Sequence, residues 1–329
     1  MIFFGLKNPQ KFLKNPSLQE KAFLANTKRN KWVLRRDIKR FVGKKIEADL
    51  FIDIEIKGNL ELNDLLKFYG KNELLDANGL IDADVSLKGK IEDLKHKSTV
   101  NKVLSSGTIK LTNVNFLHAT SKIPFTNLNG NLGFNNSDLM LSNFSGNVGS
   151  SNFTLNGIFK NFPSYILLED QPIGIVANFH STLMDMDELL SGNFTSDNNN
   201  SSEYSFSIPP NLQLKLNCNI EQIKFRRFLG DDLQGDLLVK DQVMASEKIS
   251  VETMDGKLSI TGSADASTDS IYVYSDAQLN DIAIDQIFFV FENFNQDFLM
   301  DTHLKGGINA TVSSFLAFDK HLNFDAKEM

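Results

Sequence analysis

At 329 residues the chain is long enough for two ordinary domains or one elongated array, and its 41% hydrophobic content supplies a substantial buried surface. Its one cysteine, Cys218, excludes an intrachain disulfide framework and leaves the redox compartment open. The formal charge of −7 is unevenly spread: residues 1–45 hold 13 Lys or Arg against Glu20 and Asp37, a net of +11, which leaves −18 on the rest.

The chain opens with "MIFFGLKNPQKFLK", which offers only five apolar residues before Lys7. That is fewer than the roughly 7 to 15 of a signal-peptide core or the roughly 20 of a membrane span, so no export signal or anchor is expected from these residues. Ser17 and Glu20 have the spacing of a capping box, and apolar residues then recur at helical intervals through Trp32 to Phe41. The reading is a largely helical lead-in over 1–45 with a solvated basic face. Contact of that face with anionic lipid or nucleic acid is the alternative.

From Leu50 the period drops to two. Leu50, Ile52, Ile54 and Ile56 alternate with Phe51, Asp53, Glu55 and Lys57, which predicts a strand. The rhythm returns in "LIDADVSLKGKI" and is cleanest in "NLQLKLNCNI", where Leu212, Leu214, Leu216, Cys218 and Ile220 oppose Asn211, Gln213, Lys215, Asn217 and Asn219. One oily and one wet face per strand is the pattern of an antiparallel sheet.

Two internal repeats organise the strands. "LNG" ending at Gly130 leads to "FTLNG" ending at Gly157, and "LQG" ending at Gly235 leads to "LSITG" ending at Gly262, each 27 residues apart. "LNDLL" (62–66), "MDELL" (186–190) and "IDQIF" (284–288) each follow a strand and read as short helices, with the Asn or Asp as N-cap. The expected organisation is a basic lead-in over 1–45, a first β-repeat unit over 46–190, a flexible Asn/Ser-rich connection over 191–210, a second unit over 211–290, and the start of a further, truncated unit over 291–329. The fold class is mainly β: an elongated, curved antiparallel sheet forming a repeating groove, with short helices between repeats.

Motifs for chemistry are absent from the reading. The five histidines show no metal-ligand spacing, and "LMDMDELL" lacks the glycine turn and distal Glu of a calcium loop, so its carboxylates read as helix caps. "SGNVGSS" has neither the ending of a phosphate loop nor a nucleophile elbow and reads as a turn. No carboxylate pair is singled out for glycoside hydrolysis. No enzyme activity, cofactor, metal or nucleic-acid partner is expected.

The order of words "GTIKLTNVNF" (107–116), "NLNGNLGF" (127–134), "LMLSNFSGNVGSSNFTLNG" (139–157) and "FLAFDKHLNFD" (315–325) resembles the AsmA-like proteins of Gram-negative envelopes, especially the large versions of the Bacteroidetes. The likeness covers most of residues 50–329; the family's N-terminal membrane helix and its usual C-terminal region have no counterpart in this chain. The resemblance implies a long open β-groove lined by apolar side chains, anchored at the inner membrane and working in the periplasm. Its implied role is phospholipid transfer between inner and outer membrane and outer-membrane biogenesis. The implied partners are phospholipid acyl chains, bacterial membranes and other envelope proteins. On that reading the groove is lined by Ile109, Leu111, Leu139, Leu141, Phe153, Leu155, Leu212, Leu214, Leu216, Leu258 and Ile260. The alternatives are a structural or adhesive β-repeat of the cell surface and a carbohydrate-active enzyme; whether the sheet is open or packed into a double layer separates lipid handling from scaffolding.

Overall fold

A computed structural model describes residues 26–27, 30–31, 35–36, 51–64, 74–94, 96, 98–119, 123–167, 170–191 and 206–323. The chain is mainly β. Three two-residue strands, β1 (Asn26–Thr27), β2 (Asn30–Lys31) and β3 (Arg35–Arg36), precede β4 (Phe51–Glu61), β5 (Leu74–Lys90) and the short helix α1 (Ile91–Leu94). There follow β6 (Leu104–His118), β7 (Pro124–Asn135), β8 (Asp138–Val148), β9 (Ser151–Lys160), α2 (Phe162–Leu167), β10 (Ile173–Ser181), β11 (Met184–Asp185) and α3 (Met186–Ser191). The last group is β12 (Leu212–Phe225), β13 (Phe228–Lys240), β14 (Val243–Thr253), β15 (Gly256–Asp265), β16 (Ile271–Ala283), α4 (Ile284–Val290) and β17 (Gly307–Phe318).

Fifteen strands form one sheet, in which β3 to β10 and β12 to β17 follow each other in sequence order, while β11 pairs in parallel with β12 off that path. The order does not close: β17 and β3 are its two ends. From β6 to β9 and from β12 to β16 the connections are two to five residues long, and so short a connection can only return a strand beside its predecessor. The 27-residue repeat has the same origin. Gly130 and Gly157 sit in β7 and β9, Gly235 and Gly262 in β13 and β15, so the interval is one hairpin period.

Six residues of the lead-in are described, and they are in strands where a helix is expected. The residues described there are β1 to β3, and β3 pairs antiparallel with β4, Arg35 opposite Glu55 and Arg36 opposite Ile54. The edge of β4 offers backbone donors and acceptors to which a strand, unlike a helix, can pair. The rest of residues 1–45, and 192–205 of the expected flexible connection, lie outside the described residues.

By packing, the chain forms two compact units: residues 1–116, 127–144 and 156–176 in one, and 117–126, 145–155 and 177–329 in the other. The first is organised around buried Leu62, Val103, Val114, Phe116, Leu128, Leu139, Leu141, Ile173 and Ile175. The second buries Ile208, Leu212, Ile220, Val239, Val251, Ile271, Ile282 and Ala317. Burial of a Leu or Ile side chain contributes about 1.5–3 kcal/mol, so each list is a sizeable part of the driving force for its unit.

An Asn/Asp device recurs in the strands. Asp76, Asn113, Asn127, Asn143, Asp232 and Asp281 all have φ near +50°, the left-handed region that Asn and Asp tolerate best among residues with a side chain. In β6 the apolar set is Ile109 and Leu111 before Asn113 but Val114 and Phe116 after it. The left-handed Asn113 at this change of parity has the conformation of a bulge residue, which lets apolar side chains on either side of it share a face. The same change surrounds Asn127 (Phe125, then Leu128) and Asp281 (Leu279, then Ile282).

Candidate functional site

The three predicted helix starts are found. Residues 62–64 are helical, α3 covers "MDELLS" and α4 covers "IDQIFFV". The cap of α3 is two residues earlier than the sequence pattern suggests, on β11: Asp185 Oδ1 accepts the Glu188 N–H at 3.1 Å. This releases Asp187 and Glu188 for other work. Both Asp187 oxygens accept the Arg226 N–H at 2.9 Å, holding the β12–β13 turn, and Glu188 Oε2 accepts the Ser150 N–H at 2.7 Å, holding the β8–β9 turn. Lys224 Nζ lies 2.9 Å from Asp185 Oδ2 and holds that carboxyl below the usual carboxylate range. The acidic cluster therefore staples two turns to α3. In α4 the residue before the helix is Ala283, with no side-chain cap, and Asp285 lies inside the first turn.

The second unit carries the most continuous apolar surface. Along β12, exposure alternates strictly: Leu214, Leu216 and Cys218 are half-buried between buried Leu212 and Ile220, while Gln213, Lys215, Asn217 and Asn219 are exposed. The register carries this face onto β13, pairing Leu214 with Val239, Leu216 with Leu237, Cys218 with Gly235 and Ile220 with Leu233.

Bulges on β14 then realign it. Between Ser246 and Ile249 the strand holds one extra residue, and the Asp236 carboxylate accepts the Glu247 and Lys248 N–H groups at 3.4 and 3.2 Å. Beyond them the rows run straight across β14, β15, β16 and β17. One row is Val251, Leu258, Leu279, Ala310; the next is Ile249, Ile260, Ala277, Val312. A row of small residues, Ser246, Gly262, Ser275, Ser314, separates these from Met244, Ala264, Val273, Leu316. The Ser275 and Ser314 hydroxyls satisfy each other at 2.8 Å, and the buried Ser246 hydroxyl has no hydrogen-bond partner among the described residues.

Most of this face is neither core nor free surface. Leu214, Leu216, Leu237, Leu258, Ile260, Val273 and Leu279 are half-buried, and Val312 on the end strand is 47% exposed. Among the described residues the other sheet is only the β1–β2 pair, and the helices are four to seven residues long. Phe206 donates its N–H to the Lys320 carbonyl at 2.8 Å, and the segment it begins, with buried Ile208, leads into β12. The Cys218 thiol, on the apolar face, is pushed up to about 11 by burial and, secondarily, by the Asp236 carboxylate.

The sequence-predicted lining residues divide as follows. Leu212, Leu214 and Leu216 are successive on one face of β12, and Leu258 and Ile260 lie on β15 in the aligned rows. Phe153 and Leu155, half-buried on β9, belong to the same packing unit. In the other unit, Ile109 and Leu111 are half-buried on β6 and Leu139 and Leu141 are buried on β8. Ile249, Val251, Val273, Leu279, Val312 and Leu316 were not reached from sequence. Their alternation is present, but the β14 bulge breaks its phase, and only pairing shows that they continue the rows of Leu258 and Ile260.

Among the described residues no group of three His, Cys, Asp or Glu side chains converges in a way that could hold a metal ion, and no helix is long and apolar enough to cross a membrane. Comparison of the chain with protein-family models, with curated proteins and with solved structures returned no match.

Proposed function

We propose that this chain is a non-enzymatic, AsmA-like lipid-handling segment, whose apolar face carries phospholipid acyl chains between the inner and outer membranes of a Gram-negative envelope. What supports this reading is one observation: aligned rows of Leu, Ile, Val and Ala across β14 to β17, continued by Leu214 and Leu216 on β12, remain partly exposed except at buried Val251. Apolar side chains held in register at partial exposure gain free energy from any apolar cover, and an acyl chain is such a cover. Each methylene transferred contributes about 0.8 kcal/mol, so a chain of some 16 carbons gains on the order of 10 kcal/mol before ordering costs.

The dimensions agree. Five strand spacings from β12 to β17 span about 24 Å, against about 15 Å for the acyl region of one leaflet. In this proposal the acyl chain lies across the strands along the small-residue row, between the flanking Ile/Val and Met/Leu rows. No group needs to react, so no catalytic residue is required.

The test is copurification. Protein purified without added lipid and extracted with organic solvent is expected to release phospholipid, and the Leu214→Asp/Leu216→Asp variant is expected to release at least tenfold less while keeping its far-ultraviolet circular dichroism. Lipid-free wild-type protein, or a double variant that binds as much as wild type, overturns the reading.

A further inference from the structure

The segment after β16 is built differently from the other turns. Within eleven residues Phe289, Phe291, Phe294, Phe298 and Leu299 are 45%, 56%, 55%, 94% and 37% exposed. This is not a loose loop. The Phe291 and Phe294 rings stack with centroids 5.5 Å apart, and Phe288 meets Phe294 edge-on at 5.1 Å. Arg227 donates to the Phe289 carbonyl at 3.1 Å while its guanidinium lies 5.1 Å over the Phe289 ring. Gln296 accepts the Leu299 N–H at 2.8 Å, and Asn293 accepts the Asp301 N–H at 2.8 Å. Glu292 to Asn295 all have φ of 53–55°, a left-handed run that is costly for Phe and persists only where surrounding contacts hold it. The contacts hold aromatic rings out in water.

We infer that the Phe289–Leu299 turn is a membrane-docking tip that inserts its phenylalanine side chains into the interface of a neutral phospholipid bilayer. A Phe offers about 150–250 Å² when fully covered, so the exposed parts of these five side chains amount to roughly 550 Å². That is below the roughly 800 Å² per partner of a stable protein–protein interface. A bilayer sets no such minimum and needs no matching shape, because each ring gains by leaving water. Charge selects the lipid. Asp285, Glu292, Asp297 and Asp301 outnumber the nearby Arg226, Arg227 and Lys305, so attraction to anionic head groups does not drive docking. None of the tip residues belongs to the rows of β12–β17, so the tip and the face are each tested by their own variants.

Flotation with phosphatidylcholine vesicles tests the tip. Wild-type protein is expected to co-float, with little change between low and high salt, and Phe291→Ser/Phe298→Ser to lower the partition coefficient at least tenfold with unchanged circular dichroism. In a Trp32→Phe background, Phe298→Trp is expected to shift its emission to the blue on vesicles and to be quenched by brominated phosphatidylcholine, a readout independent of the serine variant. Failure to float, or an indole emission of the Phe298→Trp variant unmoved by vesicles, overturns the inference. So does binding that needs anionic lipid and is lost in salt, which assigns the contact to Arg226 and Arg227. Flotation kept by the serine variant but lost in Leu214→Asp/Leu216→Asp overturns it too, and returns the membrane contact to the apolar face.

Discussion

The backbone N–H of Asn113 in β6 donates to the side-chain Oδ1 of Asn129 in β7 at 3.0 Å, and the relationship is returned: the N–H of Asn127 donates to Oδ1 of Asn115 at 2.8 Å. Each donor residue is in the left-handed conformation at a bulge, where its N–H falls out of the ladder. The Asn side chain two residues further on the neighbouring strand restores the lost bond, and its amide donates back to its own bulge carbonyl, Asn115 to Asn113 and Asn129 to Asn127, both at 2.7 Å. Asn115 also reaches Asn78 Oδ1 at 2.8 Å, so the device continues across strands, and Asn156 and Asn309 serve Asn143 and Asp281 in the same way.

Removing one of these amides tests the device. Asn129→Ala is expected to lower stability by about 0.5–1.5 kcal/mol, the net value of a hydrogen bond at a site water can reach, and Asn115→Ala by a similar amount. Asn131→Ala, at an exposed position of the same strand, is expected to stay within about 0.5 kcal/mol. Denaturant midpoints at constant m-value compare the three. Equal effects at Asn129 and Asn131 would remove the structural role given to the Asn words.

Close backbone approach explains part of the glycine repeat. A Cβ on Gly262 would stand 2.4 Å from the Tyr274 carbonyl oxygen, and one on Gly130, where φ is +149°, would stand 2.7 Å from the Phe144 Cα. Gly262→Ala is expected to cost about 1–3 kcal/mol, as overpacking against backbone does, and to move the β15–β16 register. Amide exchange in Tyr272 to Ser275 reports the shift. Unchanged exchange and stability would refute the packing account.

The acid response of the second unit should contain Asp185. Its carboxyl titrates below the ordinary range, first because Lys224 hydrogen-bonds it and also because it caps α3, so the folded state holds its charge more firmly than the unfolded chain does. The stability this gives is fully present above the unfolded value of about 3.9 and is lost as pH falls through the lower folded value. Asp185→Asn keeps a capping oxygen but lacks the charge, and is expected to flatten the stability profile below about pH 4. Urea titrations between pH 2 and pH 6 decide this; parallel profiles would exclude Asp185 as a contributor.

Cys218 gives a chemical probe of the apolar face. With its thiol pushed up to about 11, little thiolate exists at pH 8, and iodoacetamide is expected to react at least tenfold more slowly than with an unfolded control, whose thiol titrates near about 8.5. The linkage has the opposite sign to that of Asp185: the thiol contributes stability below its unfolded value, which is lost as pH rises towards the folded one. Bound phospholipid is expected to slow alkylation further. A rate equal to the unfolded control would mean that Cys218 is not held in an apolar setting.

The period of two is a local property, since successive side chains of a strand point to opposite sides whatever lies beyond. The sequence by itself therefore determined that the chain is mainly β, which residues form the oily side of β12, and that short helices follow β4, β11 and β16. The short connections from β6 to β9 and from β12 to β16 likewise determined nearest-neighbour order there. Parity, however, fails wherever a bulge adds a residue. Asn113, Asn127 and Asp281 each reverse it, and nothing in "NVNF" or "NLNG" alone tells a left-handed Asn from an extended one. The tertiary structure decided register, and with it which apolar residues share a row: the turn after Thr253 sets Val251 opposite Leu258, and the β14 bulge at Glu247 and Lys248 is what brings Ser246 opposite Gly262 and Met244 opposite Ala264. It decided that Arg35 and Arg36 join a sheet edge, and that Asp185 rather than Asp187 caps α3. It also decided the fate of the Phe-rich "IFFVFENFNQDFLM", whose density of Phe was visible but whose rings could equally have been core. Periodicity is written in neighbours along the chain, whereas alignment and exposure depend on neighbours across it.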